Sequence, residues 1–397
     1  MKAIILDGAM GTNLIAAGMP KGVNTEEWVL DNCDVVKGLQ GKYFEAGSDI
    51  IYAPTFGANP SVLAREGKFG VDINARLVAL TKSVVEGSNT LVAGDISSTG
   101  LMLKPYGSAD FESVSAIFAE QAKALDDAGV DVFVIETSIS LKEATAAYYG
   151  VRSASDKPVF VTFTLEKGCR TLSGEAIEAC LVALQSKGAF AVGVNCSDGG
   201  ENVKEAVKRM AEYALIPIIA KPNAGLPTVV GDKVVYNLSP EDFAEFCSEL
   251  AAEGASYLGG CCGTTPAHIA ALCKCAPEVN VPIARDGIFA TDGRDVFEID
   301  KKAPLPEVVE CDDFLLFNLP EPDEAAYFRI NAADTDAARI VDETPLCGLP
   351  LMINGADAET LDAVLRVYPG RAVLDPEAEI SKDEAEALKN KYGLIIF

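Results

Sequence analysis

The feature that most limits the fold of this chain is a repeating alternation of short apolar runs with longer segments of helical pattern. Each run is apolar or rich in β-branched residues and ends in a small, polar or charged residue, as buried parallel strands do. Eight such runs occupy residues 4–6, 50–53, 91–94, 132–135, 159–164, 191–195, 218–220 and 257–260. Eight strand–helix units in about 285 residues predict an α/β fold, a (β/α)8 TIM barrel over residues 1–285. A doubly wound sheet is the alternative, since periodicity does not give strand order.

Barrel geometry predicts where the functional residues lie. Active sites of such barrels form at the carboxyl ends of the strands, where the loops that lead into the helices begin. The residues found at those ends are Asp7, Thr55, Asp95, Glu136, Cys196, Asn223, Cys261 and Cys262. Three of the eight are cysteines, and they follow the sixth and eighth strands. We therefore expect their thiols to lie close together.

Three thiolates without a fourth protein ligand are typical of a catalytic zinc site that keeps one position open. Glycines at 259, 260 and 263 allow the bend that would turn Cys261 and Cys262 toward one point. Each cysteine taken alone fits equally with a small buried apolar residue, and the spacing is not that of a zinc finger. The residues by themselves leave both interpretations open.

Composition excludes several classes of protein. The 397 residues carry 33 Lys and Arg against 59 Asp and Glu, a net charge of −26, which disfavours nucleic acid and anionic membranes as partners. No apolar stretch is long enough for a signal-peptide core or a membrane span. Eleven cysteines in a chain of this length indicate a reducing, cytoplasmic location rather than a disulfide framework. The only histidine, His268, is predicted to lie at the surface or beside the site rather than to bind a metal.

An open zinc site of this kind has a specific chemical use. A thiol that entered the fourth position would lose its proton at neutral pH, because the metal stabilises the thiolate over the thiol. The substrate thiolate would then be the nucleophile, and the site would need no protein base. Asp7 and Glu136, at neighbouring strand ends, could hold a cationic amine of the same substrate, although such carboxylates also cap helices or pair with basic neighbours.

An ordered set of motifs then covers residues 1–285. Its members are Asp7-Gly-Ala-Met-Gly-Thr12, Thr55-Phe-Gly-Ala-Asn59, Ile135-Glu-Thr137, Arg170-Thr-Leu-Ser-Gly174, Gly193-Val-Asn-Cys196, Pro222-Asn-Ala-Gly-Leu-Pro227 and Gly259-Gly-Cys-Cys-Gly-Thr-Thr-Pro266. The set resembles the homocysteine S-methyltransferase family, and most of all the homocysteine-binding barrels of its cobalamin-dependent branch. Any one motif is weak, but their order is specific.

The resemblance implies that Cys196, Cys261 and Cys262 bind Zn2+ and that L-homocysteine is the substrate, its thiolate the fourth ligand. It also implies that Asp7, Thr55, Phe56, Glu136 and Asn195 lie at the homocysteine site. The departure from the family pattern is Ala53-Pro54, which stands before Thr55-Phe56 where the family tends to have a Thr-Asn pair. This difference bears on the floor of the pocket and so on the identity of the acceptor.

The remaining residues follow a different pattern. Residues 286–310 are predicted to be a linker, and residues 311–397 a small α/β domain with strands near 314–317, 349–353, 371–374 and 394–397. Residues 286–397 hold 25 acidic against 10 basic residues. They weakly resemble the opening strands of a pterin-binding barrel. Because too few strands are present to close one, we expect a truncated remnant without a folate site, used for packing or for docking a partner.

The predicted function is transfer of a methyl group to the thiol of L-homocysteine to give methionine. The favoured donor is a methylcorrinoid protein, so that cobalamin is involved only on a separate chain, because the only histidine does not lie in an Asp-x-His-x-x-Gly pattern. Other donors are S-methylmethionine or a betaine, and another small thiol is an alternative acceptor. A different class of function is a non-catalytic zinc-binding barrel that docks a corrinoid protein. The sequence does not predict the oligomeric state.

Overall fold

The computed structural model describes residues 1–65, 72–197, 200–230, 233–313, 315–320, 325–344 and 348–397. Eight parallel strands form one sheet in the order β1-β10-β7-β6-β5-β4-β3-β2, and a bridge from Leu6 to Ile50 joins its two edges. The sheet is therefore a barrel, as predicted, and not a doubly wound sheet. Up to the end of the barrel the strands are β1 (Ile4–Ile5), β2 (Ile50–Tyr52), β3 (Leu91–Ile96), β4 (Val132–Ser138), β5 (Val159–Phe163), β6 (Ala191–Cys196), β7 (Ile218–Pro222), the hairpin strands β8 (Thr228–Val230) and β9 (Lys233–Val235), and β10 (Ala255–Leu258).

Helices alternate with the strands and cover the outside of the barrel. They are α1 (Gly11–Ala16), α2 (Thr25–Asp31), α3 (Cys33–Ala46), α4 (Pro60–Arg65), α5 (Asp72–Val84), α6 (Phe111–Asp127), α7 (Leu141–Ala154), α8 (Ile177–Ser186), α9 (Glu201–Ala211), α10 (Pro240–Ala252) and α11 (Pro266–Cys275). Side chains with the predicted capping chemistry begin several of them. The Ser239 hydroxyl, for example, accepts a hydrogen bond from the Asp242 amide at the start of α10, whose first residue is Pro240. Among the described residues no helix is both long and apolar enough to cross a bilayer.

The barrel contains two apolar layers. The inner layer consists of side chains that point to the axis, among them Leu6, Tyr52, Val134, Phe160 and Ile219. The outer layer lies between the strands and the helices and continues into the C-terminal part of the chain. Because the interior is filled by side chains below, the open end at the carboxyl termini of the strands is left for a site.

The C-terminal part holds a separate parallel sheet. After the hairpin of β11 (Phe289–Thr291) and β12 (Val296–Glu298), four strands pair in the order β13 (Val309–Glu310), β14 (Phe328–Ala332), β15 (Leu351–Gly355) and β16 (Val373–Leu374). Helices α12 (Asp336–Glu343), α13 (Ala358–Val367) and α14 (Lys382–Tyr392) connect or follow them. The range predicted as a linker, 286–310, thus contains the hairpin and β13.

Two of the predicted C-terminal strands are wrong. Residues Leu315–Asn318 form a turn of 3-10 helix, whereas Phe314 lies outside the described residues. Of the last run, only Ile395 bridges to Val373. Within residues 311–397, the sequence did not predict β14, whose apolar residues alternate with Arg329 and Asn331.

The C-terminal part packs against the barrel helices. Arg366 of α13 forms two hydrogen bonds with the Glu112 carboxylate of α6, at 2.9 and 3.1 Å. The rings of Tyr149 and Tyr392 meet edge to face at 5.9 Å, and the Lys187 ammonium donates to the carbonyl of Gly370 at 2.6 Å. These contacts lie along the outer face of α6, α7 and α8. Further ion pairs, Lys104 with Glu343 and Arg170 with Asp295, join the C-terminal part to the loops after β3 and β5.

Candidate metal and acceptor site

Three cysteines meet at the carboxyl end of the barrel. The sulfur atoms of Cys196, Cys261 and Cys262 all lie within 4.8 Å of one another, and each residue is half-buried. Cys196 is the last residue of β6, and the other two lie in the loop between β10 and α11. The structure therefore brings together the three cysteines that the strand ends indicated. His268 is not among them. Of the two positions predicted for it, at the surface or beside the site, its burial excludes the surface. It is buried, with Nδ1 at the Thr265 cap of α11 and Nε2 3.0 Å from the Leu238 carbonyl.

The backbone is bent where Cys196 leaves its strand. Cys196 and Ser197 have φ angles of 53° and 62°, and Thr137 at the end of β4 has 61°, a conformation that non-glycine residues rarely adopt. Asn195 holds this region in place: its amide donates to the Thr137 hydroxyl at 2.7 Å and its oxygen accepts from the Thr137 amide at 3.1 Å. Strain that is fixed by surrounding bonds is typical of a functional site.

The loop of the other two cysteines is hydrogen-bonded to the end of β7 and to the loop that follows it. The Cys261 amide donates to the Pro222 carbonyl at 2.8 Å, and the Cys262 carbonyl accepts from the Ala224 amide at 3.0 Å. Gly263 follows with a φ of 80°, and a Cβ at this position would lie 2.2 Å from the ring of Tyr236. Only glycine satisfies both the turn and this close approach, so the backbone conformation sets the direction of the two thiols.

The thiols favour their protonated form when no cation is present. The pKa of Cys196 is raised to about 11, first by its hydrogen bond to Cys261 and further by burial. The pKa of Cys262 is raised mainly by its hydrogen bond to Cys196. Asn223 lowers the pKa of Cys196 and Tyr236 lowers that of Cys262, so these two polar side chains partly offset the increases. A set of three sulfur donors, oriented by polar neighbours, fits a thiophilic ion such as zinc, and no carboxylate or imidazole belongs to the set.

A buried charged cluster also forms from residues of the barrel strands. The Lys221 ammonium lies 3.0 Å from a Glu136 oxygen and 3.4 Å from an Asp7 oxygen, and 3.6 Å from the centre of the Tyr52 ring. Burial raises the pKa of Asp7 to about 6, although Lys221 opposes the shift. Burial lowers the pKa of Lys221, but Glu136, Tyr52 and Asp7 outweigh it and hold that pKa well above its usual value.

Sequence analysis did not assign Lys221 or Tyr236 to the site. The signal for Lys221 was present, because a lysine that directly follows an apolar run, before Pro222-Asn223, ends a barrel strand at the same height as Glu136. Tyr236 lies after the β8–β9 hairpin, and no pattern in the sequence connects that hairpin to the cysteines. The site thus contains one cation and one hydroxyl beyond the predicted residues.

The other predicted residues are arranged around this cluster. The Thr55 hydroxyl is fully buried and joins β2 to β3, accepting from the Asp95 amide at 3.0 Å and donating to the Asp95 carbonyl at 2.8 Å. Phe56 is 41% exposed. Asn195 touches the cysteines, its amide lying 3.9 Å from the Cys261 sulfur. The Asp95 carboxyl is buried, and burial together with the nearby Glu136 charge raises its pKa well above the usual value.

These features define a (β/α)8 barrel with a three-cysteine centre and a buried charged cluster at the carboxyl end of its strands. The chain belongs to the homocysteine S-methyltransferase family, whose model matches residues 4–276.

Two curated relatives agree with this assignment. The chain is 32% identical over 300 residues to a methionine synthase of Mycobacterium leprae, a match that covers 69% of this chain and 24% of the relative. It is 32% identical over 303 residues to a methionine synthase of Mycobacterium tuberculosis, a match that covers 71% of this chain and 25% of that relative. The chain therefore spans about a quarter of the length of these relatives.

Solved structures share the fold. The apo form of the homocysteine methyltransferase MmuM from Escherichia coli is 24% identical with a TM-score of 0.55, and the match covers 69% of this chain and 96% of that one. The metallated form of the same protein is 24% identical with a TM-score of 0.58, and the match covers 68% of this chain and 96% of that one. At this identity the likeness concerns the barrel alone.

Proposed function

We propose that this protein transfers a methyl group to the thiol of L-homocysteine, with Zn2+ held by Cys196, Cys261 and Cys262. The observation that carries the proposal is the convergence of three thiols within 4.8 Å at the open end of a barrel of this family. Three sulfur ligands leave a fourth position for a substrate thiol.

Zinc at this position supplies one effect, a lowered pKa of the thiol that enters beside it. The residues of the chain do the rest. The Asn195 amide donates a hydrogen bond to the sulfur of Cys261, and the bend at Cys196 keeps its thiol turned toward the other two. Asn223 and Tyr236 favour the thiolate forms of Cys196 and Cys262. The charged cluster of Asp7, Glu136 and Lys221 faces the polar end of the acceptor. We also propose contacts of Thr55 and Phe56 with the acceptor.

We propose a methylcorrinoid protein as the methyl donor. Apolar side chains are exposed on the loops that follow β2, β3, β5 and β7, all at the open end of the barrel, namely Phe56, Leu101, Met102, Tyr106, Leu172 and Leu226. Exposed apolar groups of this number at one end favour a large partner surface over a small cationic donor such as S-methylmethionine or a betaine. In this proposal cobalamin is carried by that partner chain.

We further propose two structural units, residues 1–285 and 311–397, joined through 286–310. The separate four-stranded sheet supports a second unit, and its first strand, β13, lies at the end of the joining segment. The resemblance of the second unit to the start of a pterin-binding barrel stays a prediction. Its helices cover the outer face of α6 to α8, which supports a packing role.

The test uses the full chain, purified without oxygen under reducing conditions. We expect about one zinc per chain, and methionine formation from L-homocysteine with methylcobalamin as a model donor. Cys261→Ser should lose most of the metal and at least about 100-fold in rate. Cys275→Ser is the matched control, because Cys275 is exposed on α11, away from the three-cysteine site, and its thiol lies beside the Ser248 hydroxyl.

Full metal content and full activity in Cys261→Ser would contradict the proposed site. Zinc binding without methylation, even when methylcorrinoid protein is supplied, would instead favour the non-catalytic accessory barrel.

A further inference from the structure

The ammonium of Lys221 occupies the place between Asp7 and Glu136 that a cationic substrate group would take. It contacts one oxygen of each carboxylate, at 3.4 and 3.0 Å, and stands 3.6 Å from the centre of the Tyr52 ring. The Lys221 side chain is 4% exposed. Two carboxylates and an aromatic face are the full set of partners that a buried ammonium needs.

Few carboxylate oxygens of this cluster remain available to bind a second cation. The other oxygen of Asp7 accepts from the Tyr52 amide at 2.9 Å, so both oxygens of Asp7 are engaged by groups of the chain itself. A substrate ammonium beside Glu136 would also lie close to the Lys221 ammonium, and two like charges in a buried pocket repel each other strongly. Burial, together with the nearby Glu136 charge, raises the pKa of the Asp95 carboxyl next to this cluster well above its usual value.

We infer that Lys221 is a resident counter-cation that replaces the α-ammonium of the acceptor, so that this site accepts short thiols without requiring an amino group. The inference rests on the proposed function, because it describes the acceptor of the same site. It makes homocysteine one member of a class of short thiols that includes the analogue without the amine.

The alternative is that Lys221 leaves the cluster when homocysteine binds. That movement would break two ion pairs and a cation–π contact inside the barrel. Removing one partner from a buried pair is strongly unfavourable. The two cases differ in how strongly the protein discriminates between acceptors with and without the amine.

The test compares L-homocysteine with 4-mercaptobutyrate, which is homocysteine without its amino group. For the zinc-loaded full chain we measure the dissociation constant of each thiol by calorimetry and its kcat/KM with methylcobalamin. We expect the two thiols to agree within about 3-fold in both quantities. A preference for homocysteine above about 10-fold, equivalent to about 1.4 kcal/mol, overturns the inference.

Two variants sharpen the test. Lys221→Met frees Asp7 and Glu136 for a substrate ammonium and should shift the preference toward homocysteine by at least about 10-fold. Lys208→Met removes the same charge from the exposed face of α9 and should leave the ratio unchanged. An unchanged ratio in folded Lys221→Met contradicts the inference. Because the wild-type comparison uses no variant, a failure of Lys221→Met to fold leaves the test decisive.

The outcomes separate the two proposals. Methylation of homocysteine with 4-mercaptobutyrate inert overturns the role of Lys221 and leaves the proposed function standing. Equal binding of the two thiols without methylation of either supports the role of Lys221 and contradicts the proposed methyltransferase. If neither thiol binds, both proposals fall.

Discussion

The side-chain amide of Asn195 forms two hydrogen bonds with Thr137. The Asn195 oxygen accepts from the Thr137 backbone amide at 3.1 Å, and the Asn195 nitrogen donates to the Thr137 hydroxyl at 2.7 Å. The two residues stand at the ends of β6 and β4, with β5 between them. Both strand ends contain residues with positive φ, so the bridge fixes the backbone next to the first cysteine of the site. Asn195 therefore positions the sulfur of Cys196 without needing to bind a metal.

Replacing Asn195 by alanine should weaken zinc binding about 10- to 100-fold, the range found when groups that orient metal ligands are removed. Competition with a chromophoric chelator measures the affinity, and circular dichroism confirms the fold. Asn331→Ala is the matched control, because the Asn331 amide donates to the Glu310 carboxylate in the C-terminal sheet, away from the cysteines. Equal zinc affinity in Asn195→Ala and wild type would show that the bridge does not position Cys196.

The turn after the two adjacent cysteines depends on a glycine. Gly263→Ala must place a Cβ 2.2 Å from the Tyr236 ring at a φ of 80°, so we expect a loss of more than about 2 kcal/mol in the free energy of unfolding and a loss of metal. Gly87→Ala is the matched control: its φ is 75°, but no atom lies within 4 Å of the added carbon. The free energy of unfolding of Gly87→Ala should fall by about 1 kcal/mol, and this variant should keep its metal. Urea denaturation and metal analysis of both variants test this, and equal losses would argue against the contact with Tyr236.

The barrel and the cysteine cluster could be predicted because both follow from local patterns. A strand buried on both faces is a continuous apolar run, and the residue after it lies at the carboxyl end whichever strands are its neighbours. The cluster of Lys221 with Asp7 and Glu136 could not be predicted from the sequence, since it depends on which way the side chains of the last residues of β7 face. Sequence spacing does not fix that direction when every residue of the strand is buried.

The sequence did not predict strand β14 for a related reason. Arg329 interrupts its apolar pattern, yet the residue is buried because its guanidinium is paired with the carboxylate of Asp375, at 2.6 and 3.1 Å. The two residues are 46 positions apart in the chain. A buried ion pair with so distant a partner is recognisable only when the sheet is assembled. The apolar run at 314–317 looked like a strand for the opposite reason, because apolar composition alone does not distinguish a short strand from a helical turn.

The free energy of unfolding should rise between pH 7 and pH 9 through Lys187. Burial, reinforced by the Arg371 charge, lowers the pKa of Lys187 from 10.5 to about 7. Above pH 7 the folded protein holds this lysine neutral while the unfolded chain keeps it protonated, so the unfolded state binds more protons and folding gains from rising pH. The gain is at most about 1.4 kcal/mol per pH unit up to the unfolded pKa, and it disappears below pH 7, where both states are protonated.

Lys187→Met removes this contribution, so the variant should show a flatter pH dependence than wild type. Guanidinium denaturation at pH 7, 8 and 9 gives the two slopes. Lys389→Met is the control, since Lys389 pairs with Glu386 on the exposed face of α14, and its slope should match that of wild type. Parallel slopes for wild type and Lys187→Met would mean that Lys187 titrates like an exposed lysine.

Arg366 should anchor the C-terminal unit to the barrel. Its guanidinium forms two hydrogen bonds with Glu112 and lies 4.6 Å from the centre of the Tyr149 ring, so one side chain of α13 joins α6 and α7. Because the charge is half-buried on an aromatic face, Arg366→Ala should cost about 1–3 kcal/mol and increase proteolysis of residues 358–397. Arg339→Ala, which removes only ion pairs within the C-terminal unit, is the matched control and should leave the barrel contact intact. Limited proteolysis and hydrogen exchange of α13 and α14 distinguish the two variants, and unchanged protection in Arg366→Ala would show that the apolar contacts of Tyr392 suffice to hold the unit in place.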